Sequence, residues 1–455
     1  MKQRYLSLDF LRGLTIFGMV FSAIIPYGVL PRWMYHIQNP PPAHELNTGI
    51  TGISWVDLVF PVFIFCMGAA IPLSGRSKIE KGITTGEYLK STAERFFMLW
   101  FFSYAYVLLN FNTAEGIWPQ IFTILGFMAF FPLYMVLKRK KTLLVRIAGL
   151  AAVILIILAG HFWFGETISV QRRGIIIFLL AFLYLFGSLI WYFTRNNRKM
   201  RINIYLLLFL FTYITKELGW PAATYANPDI RWWFNMEYFY FLLLLIPATG
   251  IGDILYERIR QGNIYGSIQG KIIHLFFPLI LLFVIWLCYA FYMNLSAILI
   301  ISVSMAVFAL LLYIAFRRLP QYAEFLYPAA ILLICGTAMV PLEGMTKVPC
   351  TIAYCFATCS ISILLLIFSD YVCKYIPTSI FVKIFSGAGM NPLMSYIAFD
   401  SFIVPLMKVT GFITLYQAAY PAGYPLAGVA RAAVAVLVTM WAVSLLSRRK
   451  IFWKA

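Results

Sequence analysis

Fourteen apolar runs, separated by short polar segments, cover most of the 455-residue chain. The first follows a basic start, Met1-Lys2-Gln3-Arg4, and continues as YLSLDFLRGLTIFGMVFSAIIPYG. Further runs lie near 55–74, 92–110, 118–137, 143–162, 174–194, 202–217, 236–253, 272–294, 297–316, 325–342, 348–369, 391–409 and 427–447. About 20 apolar residues cross a bilayer as a helix, and most of these runs come close to that length. The first is too long for a signal-peptide core and lacks a small-x-small cleavage site, so it reads as a retained span. The run at 202–217 is short, and some runs fit half-helices packed on the bundle. The pattern predicts an all-α polytopic integral membrane protein of about 11–14 transmembrane helices. Loops of roughly a dozen residues leave no separate soluble domain, so 1–455 reads as one transmembrane domain.

Composition points the same way. The chain is 62% hydrophobic and 12% charged, whereas soluble domains run near half apolar and about a quarter charged. A soluble enzyme is excluded. The net charge of +19 raises the question of nucleic acid, but the cations sit in short clusters between apolar runs, with no basic helix face or tail. No nucleic-acid partner is expected. With the N-terminus placed in the cytoplasm, the segments on that side carry 27 of the 36 Lys and Arg residues. The opposite loops carry seven: Arg32, Arg172, Arg173, Lys216, Arg231, Lys347 and Lys408. Arg12 and Arg431 fall within spans. This is the positive-inside pattern, and it predicts both termini to be cytoplasmic. The seven cysteines lack CxxC spacing and mostly lie in apolar runs, so they read as small core residues without disulfides or metal.

Ionisable residues in a lipid span cost about 2.5–3.5 kcal/mol at mid-helix on the insertion scale, so those present are candidates for function or for packed ion pairs. Asp400 sits mid-way along 391–409, and Arg431 lies about one turn into the last span, within expected reach of it. A structural Asp–Arg pair and a proton or substrate contact are both open readings. His36 and His44 share the first outer loop, WMYHIQNPPPAHELNTGITGISWVD, with Asp57 just inside the second span. A neutral imidazole near a carboxylate is the natural general base near pH 7; a structural role is the plainer alternative. His161 also falls outside, and His274 near the inner face. The outer segment KELGWPAATYANPDIRWWFNME places Trp232 and Trp233 beside Asp229, an arrangement suited to sugar rings, or simply to the interfacial aromatic belt. On the inner face, Gly387 and Gly389 precede a helix expected near Asn391. Glycine-rich backbone at a helix N-terminus can hold a phosphate, or form only a tight turn capped by Asn391.

These segments together resemble the heparan-alpha-glucosaminide N-acetyltransferase family of membrane acyltransferases. The likeness rests on SLDFLRGLTIFGMV (Ser7 to Val20), on GISWVDLVFPVFIFCMGAAIPLS with its Asp57-Leu-Val-Phe-Pro61 and Met67-Gly68, and on Gly389-Met390-Asn391. The first two cover about 70 residues in the family's order; the remainder matches mainly in hydropathy. The resemblance implies acetyl-CoA as donor on the cytoplasmic side, a carbohydrate acceptor such as an amino sugar on the outer side, and a catalytic histidine in the loop before Asp57. Counted forward from the first span the histidine falls on His36, counted back from Asp57 on His44; His36 is preferred. Asp57 is expected to orient the imidazole, with Gly387, Gly389, Asn391 and Arg12 toward coenzyme A, and Trp232, Trp233, Asp229 and Asp400 toward the acceptor. The sequence departs from the animal members at Ala23, beside Ser22, where they carry Asn, and lacks their Gln-Arg pair at WPQIFTILG.

The expected function is therefore N- or O-acetyl transfer from acetyl-CoA to an amino sugar or other glycan, with the outer-loop histidine as general base or as an acetylated intermediate. The rival is a glycan or lipid-linked-sugar carrier without chemistry, built on Asp400, Arg431 and the aromatic loop; a structural membrane subunit is the third reading. Membrane lipid surrounds the chain in each case. The compact chain suits a bacterial inner membrane, and a homodimer is an assembly the spans allow, although the small-xxx-small patterns behind it are common in spans generally.

Overall fold

A computed structural model describes residues 4–135, 142–262, 265 and 272–454. The helices are α1 (Leu6–Ile24), α2 (Trp55–Ile79), α3 (Thr85–Leu108), α4 (Ile117–Tyr134), α5 (Thr142–Phe164), α6 (Ile175–Thr194), α7 (Arg198–Glu217), α8 (Trp220–Ala226), α9 (Pro228–Arg231), α10 (Leu242–Arg260), α11 (Ile273–Tyr292), α12 (Ala297–Arg318), α13 (Pro320–Glu343), α14 (Ile352–Tyr375), α15 (Ile380–Gly389), α16 (Pro392–Ala398), α17 (Val404–Thr410), α18 (Phe412–Ala418) and α19 (Pro425–Arg448). Helix is the form expected where lipid offers backbone groups no hydrogen-bond partner, and no strand occurs among the described residues. The protein is a polytopic helical membrane protein.

Among the described residues all fourteen predicted runs fall on helices, with positions 136 and 137 of the fourth run outside them, but the span count changes. Twelve helical stretches among the described residues are long and apolar enough to cross a membrane, and α7 with α8, bent by 65°, makes a thirteenth if counted as one span. The bend falls at Gly219, whose φ of +71° places it in the left-handed region. The other shortfall is α3, helical throughout, whose first half carries Glu87, Lys90, Glu94 and Arg95.

The core is organised around α14, which is buried along most of its length and packs on α1, α2, α10, α11 and α13. Small residues let the helices approach closely, as is usual between helices in lipid. Gly68 on α2 faces the Leu245 carbonyl of α10, and Gly252 on α10 faces the Ala69 carbonyl of α2. At the crossing of α1 and α15, a Cβ on Gly13 would enter the Phe385 carbonyl and one on Gly389 the Asp9 carbonyl. Arg12 secures the same crossing: Nη1 donates to Asp9 Oδ1 at 3.1 Å and to the Gly389 carbonyl at 3.2 Å, and Nη2 to the Cys66 carbonyl on α2 at 3.3 Å.

The glycines therefore do not form the open phosphate loop expected from sequence. Gly387 and Gly389 lie inside α15, with Gly387 pressed on Ser444 of α19. Asn391 is fully buried and makes no cap. Its Nδ2 donates to the Ile451 carbonyl at 2.7 Å and to Ser447 Oγ at 3.3 Å, while its Oδ1 accepts from the Trp453 N–H at 2.8 Å. Those bonds fold the C-terminal tail back, so that Trp453 packs among Phe102, Phe127, Phe130 and Phe131. Protein atoms fill the place intended for a phosphate, and these residues do not fit coenzyme A.

If the α1–α15 crossing is set by backbone contact, Gly389→Ala and Gly13→Ala should each destabilise the protein by at least the 1–3 kcal/mol typical of overpacking. Gly86→Ala, at a helical position with open space around it, should leave the melting temperature unchanged or raise it. Thermal melting of detergent-purified variants by fluorescence-detected size exclusion checks this.

Candidate functional site: a histidine–aspartate cavity

Asp57 stands in the first turn of α2 as part of a capping box with Ser54. A carboxylate is favoured there because the helix N-terminus presents free N–H groups and the positive end of its dipole. Oδ2 accepts from the Ser54 N–H, Ser54 Oγ and the Ile37 N–H, each at 3.0 Å. Oδ1 is left for Nδ1 of His36, at 2.7 Å. The pairing is asymmetric in solvent: the Asp57 side chain is 2% exposed and that of His36 41%. With Nδ1 held by a buried carboxylate, Nε2 of His36 is the nitrogen left to meet a ligand; among the described residues it has no hydrogen-bond partner. A histidine oriented in this way is poised to take up a proton.

Pro61 completes the motif in a way the sequence alone did not show. Its missing N–H leaves the carbonyl four residues back, that of Asp57, without its helical partner. Tyr354 Oη from α14 donates to that carbonyl at 2.6 Å. Asp57 is thus tied to α14 through its backbone and to the first loop through its side chain.

The two candidate histidines have different surroundings. His44, at φ +55°, accepts the Gly28 N–H on Nε2 at 3.0 Å, stacks on Tyr27 and meets Tyr35 edge-on. It fastens the loop and does not line the cavity, while His36 does. His161 bonds the Glu166 carbonyl at 2.8 Å, and His274 meets Tyr371 Oη at 3.1 Å.

The cavity measures about 350 Å³ and lies where α1 and α3 end and α2 and α6 begin, the charge-poor face of the bundle. Its polar lining comes from Ser22, His36, Tyr106, Asn110, Lys347, Tyr396, Asp400 and Ser401, set among apolar residues of α1, α2 and α6. Ala23 is on the wall too. Asp400 belongs to a π-helical turn, Phe399–Ile403, between α16 and α17; such single turns re-aim side chains and occur often at functional sites. Its expected pairing with Arg431 is not formed. Arg431 instead donates to the Tyr416 carbonyl at 3.3 Å and lies over the Tyr416 and Tyr420 rings.

Lys347, unremarked in sequence beyond its place among seven outer cations, is the residue that reasoning missed. Its loop is fastened to the first loop across 310 positions of sequence. Gln38 Nε2 donates to the Val348 carbonyl at 2.6 Å, the Val348 N–H returns to Gln38 Oε1 at 2.9 Å, and the Gly52 N–H donates to the Met345 carbonyl at 2.7 Å. Nζ consequently stands 3.5 Å from Nδ1 of His36. Burial pushes this ammonium below its usual pKa, opposed by the Asp57 carboxylate. The only signal for it was an intramembrane-edge cation on a face that carries few.

The aromatic loop is elsewhere. Trp232 and Trp233 line a second, almost wholly apolar recess with Phe96, Trp100 and Phe182. Asp229 is exposed, its N–H bonded to Asn227 Oδ1 in the short α9. None of the three lines the His36 cavity, so the expected sugar platform is not assembled there. Among the described residues no group of three or more His, Cys, Asp or Glu residues could hold a metal.

Fold and site together define a helical membrane protein with a histidine–aspartate cavity toward one face. The chain belongs to the family described as Domain of unknown function (DUF5009), which matches residues 4–255. That stretch contains His36, Asp57 and Pro61 but ends before Lys347, Tyr354 and Asp400. No curated protein matches the chain.

The Tyr354–Pro61 arrangement gives a direct test. Tyr354→Phe leaves a buried carbonyl unpaired and should cost about 1–3 kcal/mol. Adding Pro61→Ala supplies the missing intrahelical N–H, so the double variant should recover part of that loss. Equal melting temperatures for Tyr354→Phe with and without Pro61→Ala would contradict the assignment.

Proposed function

We propose that the protein is a membrane acyltransferase whose His36–Asp57 pair activates an acceptor hydroxyl or amine at the extracytoplasmic end of the bundle. The observation that carries this reading is the 2.7 Å bond from His36 Nδ1 to a carboxylate already saturated by three other donors. A carboxylate so fixed holds one tautomer and stabilises the imidazolium formed when Nε2 takes a proton. The charge asymmetry of the loops supports an extracytoplasmic cavity, and the resemblance described above supports acyl transfer.

In the proposed step the acceptor's nitrogen or oxygen attacks an acyl thioester carbonyl while His36 Nε2 removes its proton. The new C–N or C–O bond forms, the C–S bond breaks, and the departing sulfur is protonated by the imidazolium. Acetyl-CoA is the donor the resemblance implies. Because Gly387, Gly389, Asn391 and Arg12 are occupied by protein contacts, no step is assigned to a donor bound among them. An amino sugar or other glycan is the proposed acceptor, and a bacterial inner membrane the proposed location. The alternative, a glycan or lipid-linked-sugar carrier without chemistry, would use the same cavity through Asp400, but without the tryptophans, which stand apart from it.

Membrane vesicles given radiolabelled acetyl-CoA on one side and glucosamine-terminated acceptors on the other should yield acetylated acceptor. His36→Ala should lower the rate by about 10²–10⁴-fold, the usual contribution of a general base. His44→Ala, if folded, should retain activity within a few-fold. Equal loss in both variants, or activity surviving in His36→Ala, would refute the assignment.

A further inference from the structure

Lys347 lies on the cavity wall yet is not consumed by the histidine–aspartate pair. An ammonium carries three N–H donors and no acceptor. Among the described residues its polar contact is the 3.5 Å approach to His36 Nδ1, a nitrogen already engaged by Asp57. Among the described residues Lys347 forms no ion pair with Asp57, whose oxygens accept instead from His36, Ile37 and Ser54. The backbone that carries Lys347 is fastened on both sides: Thr346 Oγ1 donates to the Pro349 carbonyl at 2.8 Å, and Gln38 brackets Val348. A half-buried cation with unfilled donors, held in place and facing a cavity, calls for an anion on the ligand.

The sign and number of charges narrow that anion. A lone ammonium is a point charge without the fork that grips carboxylate or phosphate bidentately, so it selects the sign of the ligand's charge rather than its geometry. Asp400 lines the same cavity, and among the described residues it forms no ion pair with Lys347. A second negative charge on the ligand would therefore be opposed, whereas an amine or hydroxyl would find an acceptor in Asp400. Resting on the acyl-acceptor reading, we propose that the acceptor is a carboxylate-bearing sugar, a sugar acid whose carboxylate is held by Lys347 Nζ while a nearby amine or hydroxyl meets His36. Lys347 is then the residue that determines specificity, and the neutral sugar is discriminated against by leaving the ammonium unpaired in a half-buried site.

The matched probes are glucosamine and muramic acid, which is glucosamine bearing a lactyl carboxylate. Binding to the full chain in nanodiscs is measured by calorimetry, without any acyl donor. Wild type should bind muramic acid at least tenfold more tightly than glucosamine. Lys347→Ala should lose that preference, and Lys347→Arg, which keeps the charge, should retain most of it. Lys347→Met preserves the apolar stem and serves if Lys347→Ala fails to fold. Equal affinity of wild type for the two sugars, no binding of muramic acid, or a preference that survives in folded Lys347→Ala or Lys347→Met overturns the proposal. Acetyl transfer to glucosamine without a carboxylate preference would leave the acyltransferase reading standing and remove this one; the preference without any transfer would keep Lys347 as a carboxylate-binding residue but remove the acyltransferase reading, and with it the role of acceptor.

Discussion

A single carboxylate organises the charge-poor end of this protein. Asp57 sits at a helix N-terminus, where N–H groups and dipole favour it, and it converts that local preference into long-range order. Through Oδ2 it gathers the first loop and through Oδ1 it fixes His36. Through its own carbonyl, freed by Pro61, it docks on Tyr354 of the central helix. Loss of this carboxylate would leave two loop amides, the Ser54 hydroxyl and an imidazole without their common partner, while the backbone bond to Tyr354 would remain. These three attachments position His36 on the cavity wall.

The same logic explains why the segments that resemble a known acyltransferase family occur together. Arg12-Gly13 near the start and Gly389 nearly 400 residues later are two halves of one helix crossing, where backbone approaches backbone and Arg12 caps a carbonyl on each neighbour. Met67-Gly68 similarly permits the close contact of α2 with α10. Much of what looks like a chemical motif in this chain is thus architecture. The candidate chemical groups form a smaller set, His36, Asp57, Asp400 and Lys347, supplied by four separate segments.

The spans were legible because a bilayer forces apolar length and helical backbone on any segment that crosses it. Alternating lysine and arginine counts are the basis of the expected orientation. What could not be read was contact between distant segments. His36 and His44 have similar sequence credentials, and only the fold of the loop, with His44 turned to φ +55° to accept the Gly28 N–H, separates them. The glycines at 387 and 389 look alike whether they cradle a ligand or a neighbouring helix. A π turn at Asp400 is invisible to a regular helical period, so the Asp400–Arg431 pairing failed. Lys347 is 311 positions from His36, and no local pattern announces that distance closed.

The central claim is that Asp57 holds His36 in one protonation pattern, with Nδ1 carrying the proton and Nε2 free. Nitrogen NMR of ¹⁵N-histidine-labelled protein in nanodiscs, with His44, His161 and His274 replaced so that one imidazole remains, measures this directly. The account predicts a neutral His36 with a protonated, hydrogen-bonded Nδ1 and a bare Nε2, a pattern lost in Asp57→Ala. An Nε2-protonated ring, or a spectrum unchanged between wild type and Asp57→Ala, would contradict it.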